Sequence, residues 1–108
     1  MKLLTAEIIK RLEKTPLYST ENQDVAPVLV KFFNPCGAGT WYALEAEKQE
    51  DGDWLFFGLC EIHEKELGYF TLSELQSVCL RFGLSIERDM YFDGMVVDKT
   101  TNDVRRAS

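Results

Sequence analysis

Between residues 28 and 60, three runs of β-branched and aromatic side chains follow one another with only turn residues between them: Val28–Phe33, Thr40–Glu47 and Trp54–Cys60. Such side chains suit a pleated, half-buried surface. Connections this short leave no room for a crossover helix, so the runs predict antiparallel neighbours. Pro27 precedes the first run and Asn34-Pro35 closes it, which are strand-boundary signals. In the second run Tyr42, Leu44 and Ala46 alternate with Glu45 and Glu47, which predicts a strand wet on one face. The third run is apolar on both faces and predicts an interior strand.

Helical signals flank this block. Thr5 stands at an N-cap, with Leu4 and Ile9 at the spacing of a hydrophobic staple, and Pro16 forbids continuation, so a helix is expected from Ala6 to about Lys14. Residues 19–26 are polar and read as a loop. Thr71-Leu72-Ser73-Glu74 is a capping box, and Leu72, Leu75, Val78, Cys79 and Phe82 recur at helical steps before Gly83. A second helix is therefore expected from Leu72 to Phe82, with an extended piece before it at Leu67–Phe70. A last strand is expected over Ile86–Phe92, and the residues after Asp98 read as a frayed tail.

At 108 residues, one hydrophobic core is the expectation. The expected architecture is thus a single α+β domain over residues 1–98, an antiparallel sheet of four to five strands with two helices packed on it, and a flexible segment at 99–108. Eighteen acidic against 12 basic residues give a charge of −6, which disfavours direct binding of nucleic acid. Three scattered cysteines without a CxxC pair, and a single histidine, provide no metal-ligand spacing and call for no cofactor. The first residues lack a signal-peptide pattern and no apolar run is long enough to span a bilayer, so a cytoplasmic location with free thiols is expected.

Several constellations invite chemistry and fail on inspection. Pro35-Cys36-Gly37-Ala38-Gly39-Thr40 lacks the lysine and the following helix of a phosphate-cradling loop. Cys36 and His63 have the chemistry of a thiolate pair, but nothing in their spacing brings them together. The aromatic rings of the strands lack the interleaved cations of a single-strand binder, since Lys48 alone is basic between Phe32 and Phe57. They read as core, with Trp41 and Tyr42 as candidates for partner contact.

Two polar features remain. Residues 45–66 carry eight carboxylates, from Glu45 to Glu66, against Lys48 and Lys65, and read as an acidic surface able to meet a basic partner. Glu87-Arg88-Asp89 places three alternating charges in an apolar neighbourhood. A structural role for Arg88 is a salt bridge to Glu66 or Glu74. A functional one is a polar pocket around Tyr69, Glu74, Arg88 and Asp89, rimmed by Tyr91.

The stretches Val30–Pro35, Thr40–Glu45, Leu55–Leu59, Glu64–Leu75 and Leu84–Phe92 resemble one family of small bacterial proteins of unknown function, over most of the chain from Leu3 to Phe92. The resemblance implies an origin on plasmids, phages or integrated elements, often beside conjugation or DNA-processing genes, and implies no enzyme activity. Cys36 and the segment beyond Phe92 fall outside the pattern. The resulting expectation is a non-enzymatic accessory protein that binds a protein partner, in its sharper form an acidic inhibitor of a host DNA-binding defence system. The alternative is a small ligand-binding domain or enzyme built on the polar pocket.

Overall fold

The computed structural model describes residues 2–107. The fold is mostly β, with two antiparallel sheets and one helix of appreciable length. The elements are α1 (Ala6–Glu13), β1 (Val25–Pro27), β2 (Val30–Phe33), β3 (Thr40–Lys48), β4 (Trp54–Glu61), β5 (Lys65–Thr71), α2 (Leu72–Gln76), β6 (Glu87–Arg88), β7 (Met95–Asp98) and β8 (Asp103–Arg106). The five-stranded sheet runs β5-β4-β3-β2-β6 and the three-stranded sheet β1-β7-β8.

Thr5 caps α1 by accepting the Ile8 N–H at 3.2 Å, as its position in the sequence predicts. The helix buries Ile8 and Leu12 against the large sheet. Register places Phe32, Phe56 and Phe70 on that face, their rings in series with centroids 5.8 and 5.1 Å apart. Phe32, Phe56 and Leu12 are fully buried, and each such side chain stabilises the fold by about 1.5–3 kcal/mol.

The second helix departs from expectation, and two helices packed on one sheet is not the architecture. α2 is five residues long. The capping box forms, Thr71 accepting the Glu74 N–H at 3.2 Å, but the Ser77 hydroxyl then turns back onto the Glu74 carbonyl at 2.8 Å. Serine offers the backbone this alternative to helical bonding, and Val78 and Cys79 beyond it are weak helix formers. Phe82, expected on the buried stripe, has φ 61° and is 94% exposed. Gly83 does take a positive φ, 73°, as the end of the short turn Arg81–Gly83.

Three further corrections concern strands. Residues 25–27, expected in a loop, form β1 and pair with β7. Of the expected strand Ile86–Phe92 only Glu87–Arg88 pairs, with β2. Residues 103–106, expected in a frayed tail, form β8 along β7.

The register of β3 on β4 shifts between Ala43 and Glu45, which makes Leu44 the extra residue of a bulge. A bulge reverses the phase of side-chain alternation. Beyond it Glu45 and Glu47 still share a face, that of Phe57 and Tyr69 and opposite Phe56 and Phe70, and Glu45, expected wet, is 3% exposed because residues 18–20 bond over it. Gly58 faces Ala43 beside the bulge, where a Cβ would lie 1.8 Å from the Tyr42 carbonyl oxygen, so this apolar strand needs a glycine at its centre.

Candidate functional site

The buried Glu45 carboxylate organises a recess lined by three aromatic rings. Oε1 accepts the Tyr18 N–H at 2.7 Å, and Oε2 accepts the Thr20 N–H at 2.9 Å and the Thr20 hydroxyl. Lys99 completes the arrangement. Its ammonium donates to the Thr20 carbonyl and to Thr20 Oγ1, and its N–H donates to the Asp24 carbonyl at 2.7 Å. One carboxylate thus fastens the segment after α1 to β3, and one lysine fastens the same segment to the strand pair β7-β8. Tyr18 sits at φ 71°, a left-handed conformation that its bond to Glu45 supports.

Above this clamp opens a recess of about 400 Å³. Its rings are Tyr18, Phe57 and Tyr69, and its carboxylates are Glu21, Asp24 and Glu45, against the single ammonium of Lys99. Phe57 and Tyr69 face each other across β4 and β5 with ring centroids 5.2 Å apart. The Tyr18 side chain, burial and the negative charge of Glu45 push the Tyr69 phenol above its ordinary range, so it stays neutral and presents its ring and hydroxyl at physiological pH. Aromatic faces with nearby carboxylates attract cations.

The polar pocket expected around Tyr69, Glu74, Arg88 and Asp89 does not assemble. Tyr69 is on β5 and Arg88 on β6, the opposite edges of the large sheet, about 19 Å apart at ordinary strand spacing. Glu74 closes the capping box, its carboxylate accepting the Thr71 hydroxyl at 2.9 Å. Glu66 stands near Cys60 by the β4–β5 turn. Arg88 donates to the Lys2 carbonyl, with Glu66 and Glu74 across the sheet from it.

Glu87, Arg88, Asp89 and Tyr91 do share a shallow groove with Lys31 at the β6 edge. Lys31 pairs with Asp89 at 3.0 Å and lies 5.5 Å from the centroid of the Tyr42 ring. Burial works to raise the Asp89 carboxyl but is outweighed by the Tyr91 N–H and by Lys31, which hold it below the usual range. Lys31, Asp89 and the Tyr91 N–H satisfy one another. Tyr42 is buried and Trp41 half-buried, so neither presents a free ring.

The acidic stretch is dispersed as well. Glu45 is inside, and Asp53 accepts the Ser73 N–H at 3.0 Å and the Ser73 hydroxyl at 2.6 Å. The remaining carboxylates collect at the two ends of β4, about 27 Å apart for an eight-residue strand. Among the described residues, no group of three or more His, Cys, Asp or Glu is arranged to hold a metal ion, and no helix is long and apolar enough to cross a membrane.

Sequence reasoning missed Tyr18, Glu21, Asp24 and Lys99. Tyr18, Glu21 and Asp24 fall within or beside the polar stretch 19–26, and only the fold brings Lys99 beside them. The signal available was Glu45 itself, a carboxylate in a run of apolar residues.

A family model described as "Protein of unknown function (DUF2958)" matches residues 3–99. The chain belongs to the DUF2958 family. No curated protein and no solved structure matches it. The DUF2958 match takes in the rings, carboxylates and lysine of the recess, from Tyr18 to Lys99, whereas Thr100 at its rim and β8 lie beyond it.

Proposed function

We propose that this DUF2958 protein is a non-enzymatic binding protein of a mobile genetic element, the setting its sequence resemblance implies, and that it holds a lysine or arginine side chain of a protein partner in the recess between Tyr18, Phe57 and Tyr69. One observation carries this reading. Glu21, Asp24 and three rings line one opening, with the enclosed charge of Glu45 behind them, and its single ammonium is already turned toward Thr20. A guanidinium can stack on such rings while its N–H groups reach the carboxylates, a fit that neither an anion nor a neutral apolar group has there.

The imitation of a phosphate backbone by residues 45–66 has less support, because its carboxylates are divided between the interior, the α2 cap and two distant turns. The test is a two-dimensional NMR titration with N-acetyl-arginine-amide, and with N-acetyl-glutamine-amide as control. The arginine compound is expected to shift Tyr18, Phe57, Tyr69 and Lys99 saturably, less at 0.5 M salt than at 0.05 M, and to lose its effect in Tyr69→Ala. Equal shifts from the glutamine compound, or shifts confined to other surfaces, would overturn the reading.

A further inference from the structure

Proteins blunt the edges of their sheets, because an open edge presents unpaired N–H and C=O groups to any passing strand. Three of the four edges here are blunted. β6 is two residues long, β1 is three residues long and ends in Pro27, and β8 is four residues long and carries Arg105 and Arg106. β5 is the exception: seven residues, without proline, in unbroken register with β4 from Lys65 to Thr71.

Which of its backbone groups face outward follows from the neighbouring strands. The Ala43 carbonyl and the Ala46 N–H bond to Leu29 and Thr15, away from β4. In an antiparallel ladder the bonding direction alternates, so β4 turns Phe56, Gly58 and Cys60 toward β5, and their partners there are Phe70, Gly68 and Glu66. Leu67 and Tyr69 therefore point their N–H and C=O outward. The Asn102 amide agrees with this phase, since it donates at 3.1 Å to the carbonyl of Lys65, two residues earlier. Tyr69 also turns its side chain to the recess, and Leu67 shares its face.

Resting on the cation-binding reading above, we infer that the partner is an extended basic peptide that adds to β5 as a sixth strand, its backbone bonding Leu67 and Tyr69 and one cationic side chain entering the recess. Charge selects this occupant over a second copy of the chain. Glu64, Glu66 and Glu74 flank the edge with Lys65 as the local cation, and the chain carries −6 overall, so two copies repel where a basic strand is drawn in. Strand addition supplies affinity through the main chain and specificity through alternate side chains.

The test uses three capped heptapeptides of alternating arginine and threonine: one unmodified, and two N-methylated on alternate sets of residues, so that each blocks one edge of the peptide strand. The unmodified peptide is expected to slow hydrogen exchange at the Leu67 and Tyr69 amides. One N-methylated peptide should lose about tenfold in affinity and the other little. If all three bind alike, shifting Tyr18 and Tyr69 without protecting Leu67, strand addition is overturned while the recess reading stands. If neither the peptides nor N-acetyl-arginine-amide shifts the recess, both fall. Protection of Leu67 and Tyr69 that rises with protein concentration in the absence of peptide, with a dimer in sedimentation, would assign the edge to a second copy and overturn the proposal. All arms use the unaltered protein, so a folding defect cannot mimic any outcome.

Discussion

Glu45 accepts the backbone N–H of Thr20 at 2.9 Å across 25 residues of sequence, from a position with 3% of its surface exposed. A carboxylate so enclosed is stable only with its donors in place, and here the donors are the main chain of Tyr18 and Thr20 and the Thr20 hydroxyl.

Removal of the clamp is therefore expected to act on the whole molecule. Glu45→Ala leaves buried donors without acceptors and should destabilise by about 3–5 kcal/mol, and Glu45→Gln, which retains one acceptor, by about 1–3 kcal/mol. Urea unfolding followed by tryptophan fluorescence measures both. Hydrogen exchange at Tyr18 and Thr20 should accelerate before global unfolding in the Gln variant.

A pair of glycines offers a sharper contrast. A Cβ at Gly58 meets backbone at 1.8 Å, whereas one at Gly68 meets nothing within 4 Å. Gly58→Ala should cost more than about 4 kcal/mol or prevent folding. Gly68→Ala should change stability by less than about 1 kcal/mol, with stabilisation the expected direction, because alanine restricts the unfolded chain. Thermal unfolding of the two variants separates them.

Acid should act through Asp53 and Asp89. The Ser73 hydroxyl, against an opposing effect of burial and with the Trp54 and Ser73 N–H groups, holds the Asp53 carboxyl below its ordinary range, and Asp89 is held low as described above. A folded-state value below the unfolded one gives stability that is present above the unfolded value of about 3.9 and lost as pH falls through the folded one. Urea midpoints should thus be flat for these groups from pH 7 to 5 and fall below about pH 4. The double variant Asp53→Asn/Asp89→Asn should be less stable at pH 7 and lose less below pH 4, and an unaltered acid limb would refute the assignment.

Lys31 and Asp89 are about four-fifths buried as side chains, which makes their pair more than a surface contact. A double-mutant cycle with Lys31→Met and Asp89→Asn should return a coupling of about 1 kcal/mol, reduced at high salt. Lys31→Met alone should be the more harmful at neutral pH than in the Asp89→Asn background, because it strands the carboxylate.

The thiols should differ in reactivity. Cys79 is exposed and Cys36 and Cys60 are half-buried. Burial first, then the charges of Glu66 and Glu74, push the Cys60 thiol up and lower its thiolate fraction. At neutral pH, Cys79 should react first with a chromogenic disulfide and Cys60 last, and mass spectrometry of tryptic peptides at early times reads the order.

Local chemistry made much of this fold readable. The Thr5 cap, the Thr71–Glu74 capping box and the turn residues around Gly37 and Gly52 act over a few residues and stand where the sequence places them. What escaped depends on partners distant in the chain. Nothing near Val25–Pro27 announces pairing with Met95–Asp98, and three-residue strands carry little periodicity. The stripe from Leu72 to Phe82 is helical in spacing, but Ser77 outcompetes the helix locally and the large sheet buries only Leu75 of α2. The candidate site was readable in part. Tyr69 and Glu45 stand out in the sequence, but their grouping does not, because alternation alone sends Glu45 to solvent and only the fold lays Tyr18 and Thr20 over it.

The pairing of β1 with β7 sets an order of events during synthesis. Hairpins β2-β3 and β3-β4-β5 can close as soon as they are made, since each strand follows its partner directly. β1, although made before any of them, waits for Val97, and the Thr20 carbonyl waits for Lys99. The segment carrying Tyr18 and Asp24 therefore stays open until nearly the last of the matched span has emerged. A chain whose residues up to 94 alone have left the ribosome would hold a finished large sheet with an unfinished recess, a species more open to proteases than one in which β7 has joined β1.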